Sequence, residues 1–179
     1  MKEKYLFFAL ILLSISSCTT VQFETSQPKD AQQLTEFPKD LTGRYTTKKN
    51  QDTLLIFNNS FQYIESTILG QGKINTLSPN EVVLKKSNDY FVLSLKDSAA
   101  WEVFAFKQKG TSILVYYINI DQMKADKIIP SLKEITNVVE IRDSAGKINK
   151  YLINPTQNEF QLLLDKKLFS KILEFKKIK

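Results

Sequence analysis

The sequence predicts a mainly β fold with minor α, an antiparallel meander that forms a barrel or a sandwich. Three observations predict it. Short runs rich in aliphatic, β-branched and aromatic residues recur through the chain. Clusters of Asn, Asp, Ser, Lys and Gly separate them at regular spacing. Along several runs apolar and polar residues alternate with the period of a strand.

The globular part is expected to begin near Leu41-Thr42-Gly43-Arg44-Tyr45. Asp52 to Phe57 and Phe61 to Ser66 flank the polar turn Asn58-Asn59-Ser60, the pattern of a hairpin. Glu81 to Lys85 and Tyr90 to Lys96 flank Lys86-Ser87-Asn88-Asp89, a second hairpin. Trp101 to Lys107 and Ser112 to Ile118 flank Gln108-Lys109-Gly110-Thr111, a third.

Face assignments follow from alternation. Phe91, Leu93 and Leu95 share one side of their strand, with Tyr90, Val92, Ser94 and Lys96 on the other. In Trp101–Lys107 both sides are apolar: Trp101, Val103 and Ala105 on one, Phe104 and Phe106 opposite. Ser112–Ile118 behaves likewise. A strand apolar on both faces is covered on both, so these two belong at the centre of the sheet, with a helix or tether over the outer face.

After Ile120 the pattern changes. Asp121 to Leu132 has helical turns, and Pro130 forbids one uninterrupted helix. Val138 to Arg142 and Lys147 to Ile153 flank Asp143-Ser144-Ala145-Gly146, a fourth hairpin. Thr156 and Glu159 have the spacing of a capping box, in which each side chain bonds the other's amide. Phe160, Leu163, Leu164 and Leu168 continue at helical spacing. Short helices are therefore expected near 121–134 and 157–168. Residues 169–178 are read as a final strand with Leu173 and Phe175 on one face, in preference to a continued helix.

The amino terminus is organised differently. Lys2-Glu3-Lys4 precedes an apolar run, Tyr5 to Leu13, too short to span a bilayer, and small residues lead to Cys18, the single cysteine of the chain. Ile15-Ser16-Ser17-Cys18 resembles the lipobox of bacterial lipoproteins. The resemblance implies a signal peptide, 1–17, that is removed, and acylation of Cys18 by diacylglyceryl and palmitate-like chains. A protein so modified is held in the cell envelope by its lipid. In that family a non-acidic residue after the cysteine, here Thr19, implies the outer membrane. Residues 18–40, rich in Thr, Gln, Ser and Lys with Pro28 and Pro38, are expected to be the lipidated residue and a flexible tether, and 41–179 a single β-rich domain.

Composition narrows the function. The net charge of +6 is concentrated late, with six Lys against Asp165 and Glu174 between Asp165 and Lys179. This end is read as a solvated, Lys-rich strand edge that discourages aggregation. No basic and aromatic residues interleave over a face, so nucleic acid is not an expected partner. The absence of His, with Cys18 committed to lipid, removes Ser-His-Asp and Cys-His nucleophiles and the usual zinc sets. No metal, cofactor or catalytic residue is expected. A carboxylate pair for glycan hydrolysis would draw on Glu65, Glu81, Glu102 or Glu140, each expected to face solvent.

Gly43-Arg44-Tyr45 resembles the Gly-x-Trp that opens lipocalin-like barrels, with Tyr45 in place of Trp. That family packs an Arg from a late strand onto the aromatic; here the final strand offers Lys. The resemblance implies a barrel, without naming a ligand. Phe91, Leu93, Phe104 and Tyr116 are the residues expected to line an apolar cavity if the barrel is hollow. Three functions remain open: contact with another envelope protein, which is preferred, carriage of an apolar ligand, and envelope glycan hydrolysis.

Overall fold

The computed structural model describes residues 19–49, 51–66, 72–120 and 125–178. The signal peptide, Cys18 and the start of the first expected helix lie outside them. The elements in chain order are β1 (Thr20–Phe23), β2 (Gln33–Leu34), a 3-10 turn (Lys39–Leu41), β3 (Gly43–Thr47), β4 (Thr53–Ile56), β5 (Ser60–Ile64), β6 (Ile74–Thr76), β7 (Val82–Ser87), β8 (Tyr90–Asp97), β9 (Ala100–Lys109), β10 (Ser112–Tyr117), α1 (Ala125–Ile135), β11 (Val138–Arg142), β12 (Ile148–Ile153), α2 (Gln157–Asp165) and β13 (Ser170–Ile178). The fold is mainly β with minor α, and its sheet curls into an antiparallel half-barrel.

Strand β9 organises the sheet. One of its edges carries β8 along most of its length, and β8 leads through β7 to β2. The other edge is divided: Trp101 pairs with Phe23 of β1, while Ala105 to Lys109 pair with β10. The sheet therefore forks. One arm runs β10-β13-β3-β4-β5-β6 and curls; the other runs β1-β12-β11. The four hairpins read from turn residues are β4–β5, β7–β8, β9–β10 and β11–β12, all antiparallel.

Because β9 is apolar on both faces, it is a wall between two cores. Outside, Val103 and Ala105 join Val21 and Phe23 of β1, Ile128 and Leu132 of α1, and Phe160 and Leu163 of α2. Inside, Phe106 joins Tyr45, Ile56, Phe61, Ile113 and Phe175. Helix α2 starts at the capping box: Thr156 Oγ1 accepts the Glu159 amide at 3.3 Å and Glu159 Oε2 accepts the Thr156 amide at 2.8 Å. Phe160 then packs against Phe23 and Phe169, at centroid distances of 6.2 and 5.6 Å.

Three expectations are corrected. Residues 19–40 are not a free tether. Val21 and Phe23 are each 1% exposed, and β1 lies parallel to β12 from Thr20↔Lys150 to Phe23↔Ile153. The loop that follows is pinned by Lys85, whose ammonium donates to the carbonyls of Ser26, Pro28 and Lys29 at 3.2, 2.8 and 3.1 Å. Burial pushes the Lys85 pKa down, opposed by Asp30. Second, α1 runs through Pro130. The proline costs about 3 kcal/mol, but Ile128, Ile129, Leu132 and Ile135 are buried, each side chain contributing about 1.5–3 kcal/mol. Third, β13 is not an edge: it pairs with β10 on one side and β3 on the other, and Lys171, Lys176 and Lys177 extend from an interior strand.

Candidate functional site

The curl shapes a half-open apolar cavity of about 450 Å³. Alternation brings one side of each strand inward: Leu54 and Ile56 from β4, Phe61 and Tyr63 from β5, Leu93 and Leu95 from β8. Phe104 and Phe106 of β9 and Ile113 and Val115 of β10 supply the adjoining wall. A register shift opposite Val115/Tyr116 leaves Ile172 of β13 without a partner, and both Ile172 and Leu173 reach the cavity beside Phe175.

A plug borders one part of this space. Phe37 lines the cavity and meets Phe61 edge-on at 6.3 Å, and Leu41 of the 3-10 turn belongs to the same core. Tyr45 fixes the turn, its hydroxyl donating to the Leu41 carbonyl at 2.9 Å. Burial, and then Asp40, holds that phenol above its ordinary range. Lys177 of the final strand places Nζ 5.5 Å from the Tyr45 ring centroid and donates to the Asp40 carbonyl at 3.1 Å. Gly43 makes room for this crossing. A Cβ there would stand 2.8 Å from Lys177 Cε, and its φ of +135° disfavours other residues.

The polar members of the lining are Tyr63, Lys73 and Asn75. The Tyr63 ring meets Phe175 edge-on at 6.2 Å, and its phenol is pushed up to about 12 by burial, then by Asp52 and Glu65. Asn75 Nδ2 donates to the Lys73 carbonyl at 3.1 Å.

Of the residues read as cavity-lining, Leu93 and Phe104 lie on the wall. Phe91 packs against the same inner core, stacked on Phe106 at 5.5 Å. Tyr116 faces the other way: it packs on the outer core, edge-on to Tyr90 at 5.6 Å. Its neighbour Tyr117 takes the inward orientation and stacks on Phe104 at 5.0 Å. The β4–β5 hairpin and β13 contribute wall that sequence reasoning did not assign.

No carboxylate lines the cavity among the described residues. Glu65 and Glu81 are exposed, and Glu140 pairs with Arg142 and Lys133 at 2.7 and 3.4 Å. Glu102 is half-buried, and its pKa is raised by desolvation and then by Asp97. A raised carboxyl pKa favours the folded state fully below the unfolded value of about 4.3, and the gain is lost as pH rises through the folded value. Glu102→Gln is therefore expected to be more stable than the parent at pH 7, with the advantage shrinking toward pH 4. Urea unfolding of both proteins across that range checks the sign.

No family model, curated protein or solved structure matches this chain. Among the described residues no helix is long and apolar enough to cross a membrane.

Proposed function

We propose that this is a lipid-anchored envelope protein, non-enzymatic, whose half-barrel holds a small apolar molecule. The observation that carries the reading is the cavity: about 450 Å³, walled by aliphatic and aromatic side chains, within the size range of small-molecule sites. Burying hydrocarbon there contributes about 25 cal/mol per Å² removed from water. A lipocalin-like reading draws support from the packing of Lys177, a basic residue of the final strand, over the Tyr45 ring and against Gly43. The anchor is assigned to acylated Cys18 and the location to the outer membrane, on the sequence Ile15-Ser16-Ser17-Cys18-Thr19.

One experiment reads both parts. Mass spectrometry of protein extracted from the envelope is expected to show a covalent lipid mass that survives denaturation and a second mass that denaturation releases. Cys18→Ser is expected to lose the first. Leu93→Arg, which places a charge in the wall, is expected to lose the second. An empty native protein would overturn the carrier reading.

A second reading, contact with another envelope protein, draws on β6. This strand ends the curled arm, carries no charge within Ile74–Thr76, and leaves Ile74 56% exposed. An uncharged sheet edge is a template for an added strand.

A further inference from the structure

We propose that the half-barrel takes a single-chain amphiphile with an anionic head, its tail among the apolar walls and its head at Lys73. The inference rests on the carrier reading and names the ligand class of the same cavity. Polar character is confined to a small part of the lining. Phe61 pairs with Asn75 and Gln62 with Ile74, where the ladder ends; Tyr63 follows on β5, and Lys73 directly precedes β6. The remainder of the wall is hydrocarbon.

Lys73 is the one charged side chain on the lining among the described residues, and it is exposed. A lysine in this position lays its methylenes along the wall and keeps its ammonium in water. A neutral guest needs no such group; an anionic head is complementary to it. The carboxylate of Asp52, beside Tyr63, accepts the Ser66 amide at 3.0 Å. At about 30 Å³ per water-sized group, 450 Å³ holds on the order of fifteen non-hydrogen atoms. That is room for one acyl chain of moderate length.

Calorimetric titration of the full chain at pH 8 tests the proposal with dodecanoate and dodecyltrimethylammonium below their micellar concentrations and dodecan-1-ol below its solubility limit. Dodecanoate is expected to bind about threefold to fivefold tighter than the alcohol, the size of an exposed ion pair, and the cation most weakly. Lys73→Gln is expected to equalise acid and alcohol, and Lys73→Glu to reverse the order. A lysophosphatidylglycerol of the same chain length, competed against dodecanoate, assigns the head to a phospholipid or to a free acid; tighter binding of either one than of the alcohol supports the proposal. Equal binding of all three heads, or a preference untouched by Lys73→Gln, overturns the head-group assignment and leaves the carrier reading standing. Binding of none removes the carrier reading itself.

Discussion

Phe23→Ala is expected to destabilise the fold by about 3–5 kcal/mol, the cost of truncating a buried aromatic. Phe23 is 1% exposed and touches Phe160 and Phe169, at 6.2 and 6.3 Å between centroids. It also closes the pairing of β1 with both β12 and β9, at Ile153 and Trp101. The measurement is the urea midpoint of parent and variant at constant slope. The outcome discriminates cleanly, because a residue on a free linker would cost nothing. An unchanged midpoint would detach β1 from the domain.

Lys85→Met is expected to cost about 3 kcal/mol despite conserving volume. The side chain is 6% exposed and its three donors meet three carbonyls, of Ser26, Pro28 and Lys29. A protonated amine has three donors and no acceptor, so the match is complete. Methionine fills the space and takes the ammonium from all three oxygens; the Pro28 carbonyl keeps the Ala31 amide at 3.3 Å, while those of Ser26 and Lys29 lose the Lys85 donor, at about 1–3 kcal/mol for a buried polar group left unsatisfied. The loss should appear both in the urea midpoint and as faster amide exchange on β2, which follows that loop and pairs with β7 at Gln33↔Lys85. Slow exchange on β2 in a destabilised variant would show that the loop is held by something else.

What was legible in the sequence was local. Turn clusters such as Asn58-Asn59-Ser60 and Lys109-Gly110 sit between runs that alternate, and the four hairpins follow from neighbouring residues. The two-sided apolarity of β9 also announced its central place, because no single-faced strand needs it. The misses came from partners distant in sequence. β1 offers just Val21 and Phe23 to a core, amid Thr and Gln, and its ladder partner lies more than a hundred residues on. Gln22 reads as linker until its amide is seen donating to Asp97 at 2.7 Å and its carbonyl accepting from Lys150 at 2.8 Å.

The cavity was half legible for the same reason. β8 alternates, which groups Leu93 with Phe91 and Leu95, and the two-residue period of β9 sets Phe104 and Phe106 opposite Trp101, Val103 and Ala105; Leu93 and Phe104 both lie on the inner side. Leu54, Leu55 and Ile56 are apolar without a break, so nothing local says which of them looks inward. Ile172 reaches the wall through a bulge that depends on β10, not on its own sequence. Tyr116 and Tyr117 are chemically alike, so the sequence does not say which looks inward; the pairing of β10 with β9 turns Tyr116 to the outer core. Pro130 misled by counting one lost amide bond without the four side chains its helix buries.

The early entry of the chain into the sheet has a mechanical consequence. Thr19 already hydrogen-bonds the Ile148 carbonyl, at 3.5 Å, and Thr20 opens the ladder with Lys150. The residue proposed to carry the lipid, Cys18, is by covalent geometry a single 3.8 Å Cα step from Thr19. With the acylation proposed for Cys18, the domain would have no leash and would sit close against the lipid surface.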